Sequence, residues 1–210
     1  QQMTSTPDIL QNTVEEFIAA TGAKTPTPGG GSVAGVVGAL GVALGRMTLN
    51  FSKGKKSLTE HEPYYAQLEQ RLETAGETMV QLVSSDIAAY QAYQQANRLP
   101  DGEDKTRAVE QATAAAIDVP RRTTQAAVAL LVDMKELAGK CNKWLITDLL
   151  AAGALAVAAA TLSDYNVRIN LPNLTDQAQA DEIRKASRDD LTQARTIHAE
   201  TEEATREMLP

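Results

Sequence analysis

The run Pro26-Thr27-Pro28-Gly29-Gly30-Gly31-Ser32, continuing into Val33-Ala34-Gly35-Val36-Val37-Gly38-Ala39-Leu40-Gly41-Val42-Ala43-Leu44-Gly45, decides how this chain must fold. The Pro/Gly half ends whatever precedes it, and Ser32 stands where a helix N-cap is expected. Beyond it, Gly31, Gly35, Gly38, Gly41 and Gly45 recur at three- and four-residue steps and make one smooth stripe. Each glycine costs about 1 kcal/mol against alanine inside a helix. Such a stripe is explained when another helix, or a ligand, approaches the backbone closely. The segment therefore predicts a buried, glycine-rich helix.

The rest of the chain points to helices as its partners. In 210 residues, hydrophobic residues make up 43% and charged residues 22%, values of a globular domain rather than a disordered one. Aromatics are 4%, so Ala, Leu, Val and Gly must fill the core. No β-rich run is evident. The expected fold is all-α: one domain over residues 1–210, a bundle of six to eight helices. The first helix is expected from Pro7-Asp8, with Leu10, Val14, Phe17 and Ile18 on one stripe. A long helix should run from Pro63 to about Asn97, with Leu68, Leu72, Ala75, Met79, Leu82 and Val83 inward. Leu99-Pro100-Asp101-Gly102 reads as a turn. Helices should follow from about Glu103 to Ile117, then on to about Leu137 with Pro120 either starting or kinking that helix, from Trp144 to about Ser163, and from Thr175 to about Met208.

A net charge of -7 argues against nucleic acid, whose affinity comes mainly from Lys and Arg on phosphates. One cysteine, Cys141, and two histidines, His61 and His198, leave no multi-ligand metal site of Cys or His. Both histidines read as surface, and Cys141 and Trp144 as packing. Ser32–Met47 and Trp144–Leu162 are apolar, but Arg46 and Asp148 interrupt them, so buried helices of a bundle are expected rather than membrane spans. No charged-then-apolar leader is read at the start, and a cytoplasmic setting is expected.

A glycine-rich loop before a helix is an anion site in principle, since free amides and the helix dipole favour negative charge. It is not a Walker loop, because no Lys-Ser/Thr pair follows. Nor is it a dinucleotide fingerprint, because no strand precedes it. Physics alone leaves an anion or ligand loop beside a tight turn with close packing.

Further motifs carry a resemblance. Pro26 to Ala34 with Gly38-Ala39-Leu40-Gly41, then Gly54-Lys55-Lys56, Asp86-Ile87-Ala88-Ala89-Tyr90 with Leu99-Pro100, Val119-Pro120, Thr147-Asp148-Leu149 and Asn166-Val167-Arg168-Ile169-Asn170-Leu171 occur in this order. Together they resemble the cyclodeaminase/cyclohydrolase family, across about residues 9–205. That family comprises the C-terminal half of formiminotransferase-cyclodeaminase and stand-alone methenyltetrahydrofolate cyclohydrolases. Asp101, where the family usually has Lys, and Ser57, where an aromatic is common nearby, depart from the pattern.

The resemblance implies chemistry on the one-carbon unit joining N5 and N10 of tetrahydrofolate. A cyclohydrolase opens the methenyl bridge with water to give 10-formyltetrahydrofolate; a cyclodeaminase closes 5-formiminotetrahydrofolate and releases ammonia. No transferase half lies within these residues, so the cyclohydrolase is expected. The cyclodeaminase and a non-catalytic folate-binding protein are the alternatives. Both reactions pass through a tetrahedral carbon and need proton transfer, and neither needs a metal or redox cofactor.

Asp148 and Asp86 are the candidate catalytic residues. Asp148, in an alanine-rich helix, is either a buried acid/base or an N-terminal cap. Asp86, Tyr90 and Tyr93 share one helical face. Pro28, Gly29, Gly30, Gly31 and Ser32 are candidate substrate contacts at one edge of a folate pocket, Tyr90, Asn166 and Asn170 candidate pterin contacts, and Lys55 and Lys56, with Lys53, candidate contacts to glutamyl carboxylates. Eighteen residues separate Asp148 from Asn166, about 27 Å along an unbroken helix. Either that helix breaks or the site takes residues from two subunits, so a homodimer is expected.

Overall fold

The structure is a computed structural model that describes residues 9–209. Six α-helices carry the described chain: α1 Val14–Gly22, α2 Gly30–Asn50, α3 Glu62–Asn97, α4 Glu103–Ala138, α5 Ile146–Asn170 and α6 Gln177–Thr205. Short 3-10 turns fill most junctions, and no strand occurs among the described residues. The all-α expectation holds. The central element is α5, which packs against α2, α4 and α6, while α3 closes the bundle against α2 and α4.

The glycine stripe is the reason α2 can sit among three neighbours. A Cβ on Gly35 would lie 2.7 Å from Val83 Cγ2 and 3.2 Å from the Met79 carbonyl. At Gly38 it would meet Met79 Sδ at 2.6 Å, and at Gly45 Met134 Cε at 2.9 Å. Gly41 faces the Ala152 carbonyl of α5 at 3.1 Å. The stripe is read by side chains of α3 and α4 and the backbone of α5, so close helix packing is what it serves over most of its length. Above it, Leu68, Leu72, Met79, Leu82 and Val83 of α3 are buried as their spacing predicts.

Four boundaries differ from expectation. Pro7 and Asp8 lie outside the described residues, and α1 begins at Val14. Thr13 caps it: Thr13 Oγ1 accepts from the Glu16 amide, and Glu16 accepts from the Thr13 amide. No residue of α1 is buried, and of its expected apolar stripe Val14 is 78% and Ile18 65% exposed, while Phe17 is half-buried.

Ser32 is not the cap of α2. Gly29 takes that position, and Ser32 lies in the first turn. Pro120 does not divide two helices, because α4 runs through it. A proline leaves the carbonyl four residues earlier without its amide donor. That carbonyl belongs to Ala116, and the Asn170 side-chain amide donates to it at 3.4 Å. Finally, α5 runs unbroken past Ser163 to Asn170. Trp144, expected in packing, is 78% exposed, and His198 is mostly covered, its ring lying over Gly153 of α5. Cys141 is buried as expected.

By length and composition α2 and the Lys143–Asn173 segment could each cross a membrane. Within the bundle, half of the apolar window of α2 and 44% of the other are buried against neighbouring helices.

Candidate functional site

Because α2 runs antiparallel to both α3 and α5, its N-terminus arrives beside the middle of α3 and the C-terminal end of α5. There a cavity of about 250 Å³ opens, lined by Asp86, Ala89, Tyr90 and Tyr93 of α3, Ala116 and Val119 of α4, and Asn166, Ile169 and Asn170 of α5. The first turn of α2 packs against two of its wall residues, Asp86 and Asn166. A Cβ on Gly30 would stand 3.4 Å from Asn166 Nδ2, and one on Gly31 only 2.0 Å from Asp86 Oδ1. Pro28, just before, is buried and joined to Thr27 by a cis peptide bond. Seven predicted residues around this turn, Gly29 to Ser32, Asp86, Asn166 and Asn170, thus meet at one end of the bundle, with Tyr90 on the cavity wall.

Ser32 is fully buried, and its hydroxyl donates to Asp86 Oδ2 at 2.7 Å. Burial pushes the Asp86 carboxyl above the usual aspartate range; the side-chain and backbone hydrogen bonds from Ser32 oppose that shift without cancelling it. A carboxyl lifted in this way, at the wall of a cavity, is suited to take and return a proton more readily than an ordinary aspartate. The two asparagines use their donors internally: Asn166 Nδ2 donates to the Leu162 carbonyl at 2.8 Å, and Asn170 Nδ2 to the carbonyls of Asn166 and Ala116. What they have left for a ligand is acceptor oxygen. Tyr90 Oη accepts from Gln94 at 2.8 Å and keeps its own proton to donate.

Asp148, Lys55 and Lys56 are at the other end. Asp148 occupies the first turn of α5 and is half-buried rather than enclosed, a position the helix dipole favours. The helix between it and Asn166 does not break, so about 27 Å separates them. Lys56 is exposed. Lys55 borders a separate cavity of about 310 Å³ with Ser57, Asn142, Lys143 and Trp144. Lys53 is held by Glu69 at 2.8 Å. Within one chain the structure does not bring these residues to Asp86.

Residues 13–189 match the model of a family described as formiminotransferase-cyclodeaminase. The chain belongs to this family. It is 32% identical over 179 residues to a methenyltetrahydrofolate cyclohydrolase of Methylorubrum extorquens, covering 82% of this chain and 86% of that protein. A formimidoyltransferase-cyclodeaminase of Gallus gallus is 31% identical over 166 residues, 77% of this chain but only 31% of that longer protein. The crystal structure of a formiminotetrahydrofolate cyclodeaminase from Thermotoga maritima superposes with a TM-score of 0.80 at 28% identity, over 95% of this chain and 96% of that one.

Within the formiminotransferase-cyclodeaminase family, the two departures fall away from the Asp86 cavity. Asp101 is an exposed residue of the α3–α4 turn, its carboxyl held below the usual range by Lys105 at 2.8 Å. Ser57 lies beside Lys55. Sequence reasoning missed Ala116, Val119 and Ile169 as cavity walls. They carry no chemical signal, and only the crossing of α4 with α5 selects them. It also passed over Asp164, which is 3% exposed, takes the Ser187 hydroxyl at 2.8 Å and pairs with Arg168 at 2.9 Å. That carboxylate ties α5 to α6.

Proposed function

We propose that this chain hydrolyses 5,10-methenyltetrahydrofolate to 10-formyltetrahydrofolate, with Asp86 as the proton-transfer group. The observation that carries the reading is the junction of a half-buried carboxyl, its pKa raised by burial, with a cavity wall in a chain that matches a cyclohydrolase over most of both lengths. In the step envisaged, ionised Asp86 takes a proton from water as the water oxygen bonds to the bridging carbon. The resulting hydroxyl loses its proton to solvent as the C–O bond becomes a carbonyl. The carbon–N5 bond breaks, and N5 receives the proton from Asp86. The bridge is a cation, so one water is consumed and one proton released. The chemistry calls on neither metal nor redox cofactor. The cytoplasm, where folate chemistry would find its substrate, is the proposed setting.

The same reading includes a homodimer. A cavity of about 250 Å³ lies below the roughly 300–1,000 Å³ of pockets that enclose drug-sized ligands, so it can take only part of a folate. The outer sides of α2 and α5 are uncovered, with Leu40 54% and Met47 40% exposed on α2, Phe51 56% just after it, and Tyr165 54% and Ile169 72% on α5. A two-fold partner laid antiparallel along these helices would cover them. It would also carry its own Asp148, Lys55 and Lys56 toward the Asp86 end of the first subunit.

The deciding assay supplies the purified protein with methenyltetrahydrofolate and follows loss of the methenyl absorbance, then with 5-formiminotetrahydrofolate and follows ammonia. Turnover of the first substrate alone supports the proposal. Ammonia release alone replaces it with the cyclodeaminase, which the Thermotoga maritima and Gallus gallus relatives favour. Neither would mean a binding protein.

A further inference from the structure

The N-terminus of α2 is an anion site whose anion is already in place. Unpaired amides and the helix dipole at Gly30 to Ser32 attract negative charge, and the group standing there is the Asp86 carboxylate. Ser32 reaches it with both its hydroxyl, at 2.7 Å, and its backbone. Ser32 has no exposed surface, so a substrate could take that hydroxyl only by displacing Asp86. Gly31 is required for a separate reason. Any Cβ there would overlap Asp86 Oδ1, at 2.0 Å, so a side chain at this position would push the carboxylate off the helix end.

Nothing else lining the cavity balances that carboxylate. The residues that α4 contributes are Ala116 and Val119, those of α5 are Asn166, Ile169 and Asn170, and the turn of α2 has no charged side chain. Tyr90 and Tyr93 of α3 are the other titratable groups on the wall.

We infer that Gly31 and Ser32 are positioning residues that hold Asp86 for proton transfer, and that they do not contact the folate. The inference deepens the proposed reaction and rests on it for the role of Asp86; the contact itself does not.

Ser32→Ala tests it. Losing a donor to the ionised carboxylate disfavours that form, so the acid limb of the kcat/KM profile moves to higher pH. With the carboxyl less well placed, kcat falls roughly tenfold while KM stays within about twofold. Ser32→Cys, nearly isosteric but a weaker donor, moves the limb the same way, and Ser32→Thr, which keeps the hydroxyl, returns it toward the parent protein. Carbon-13 NMR titration of the Asp86 carboxyl in the ligand-free protein, assigned with Asp86→Asn, reads the same shift without any turnover. An unchanged titration in Ser32→Ala and Ser32→Cys overturns the inference. So does a raised KM with the parent kcat and pH limb, which would make Ser32 a folate contact. If the parent protein turns over neither folate while the NMR shift appears, the proposed reaction falls and the positioning contact stands.

Discussion

Asp86 holds its proton more tightly in the fold than an ordinary aspartate does, and two consequences follow at the scale of this residue. For catalysis, Asp86 must be ionised to accept a proton from water. The acid limb of kcat/KM should therefore lie above the ordinary aspartate range, and Asp86→Asn should lower kcat by roughly 10²-fold or more. For stability the sign is reversed. A carboxyl whose pKa rises on folding stabilises the protein while it is protonated, and that contribution is lost as pH increases through the folded value. Asp86→Asn should therefore raise Tm at pH 7, with the gain shrinking as the pH falls into the ordinary aspartate range. Calorimetry across that interval checks this, and a Tm gain independent of pH would refute it. The gain in stability and the loss of turnover in one variant would mark a residue retained for its chemistry.

At the scale of elements, Asn170 and Pro120 form a functional pair across α5 and α4. Pro120 frees the Ala116 carbonyl and Asn170 supplies the missing donor. Asn170→Ala should cost about 1 kcal/mol by leaving that carbonyl unpaired, and Pro120→Ala should remove most of the cost by restoring a backbone amide. A double-mutant cycle by urea denaturation gives the coupling; additivity would show that Asn170 serves the cavity alone. The glycine stripe makes a second test. Gly35→Val must displace Val83 and the Met79 backbone, and overpacking of this kind costs about 1–3 kcal/mol.

The residue pattern made the elements legible and left the joints open. The alternation of Leu68, Leu72, Met79 and Leu82 fixed α3, because periodicity is a local property. The continuity of α4 through Pro120 was not legible, because the donor that tolerates the proline comes from Asn170, 50 residues on. Likewise Asp148 looked like a buried acid because its neighbours are apolar. In the fold it sits half-exposed in the first turn of α5, where the dipole favours a carboxylate in any case.

For the whole molecule the prediction concerns assembly. If a second copy covers α2 and α5, paired Leu40→Glu and Met47→Glu substitutions should turn a dimer into a folded monomer with reduced turnover. Sedimentation equilibrium with circular dichroism checks both properties at once, and an active monomer of the parent protein would remove the homodimer. Residues at the two ends of an unbroken α5 cannot share a pocket within one chain, yet an antiparallel partner superimposes one end on the other.

The sequence by itself determined the helical class, the glycine helix, the family and most residues around the cavity. These depend on spacing and residue type, which survive without coordinates. Only the tertiary structure decided what the glycine run is for. Its amides, its Ser32 hydroxyl and its missing Cβ at Gly31 are all directed at Asp86, 54 positions further along the chain. A helix end attracts any anion, and nothing local says which. The antiparallel packing of α2 on α3 makes it the protein's own carboxylate.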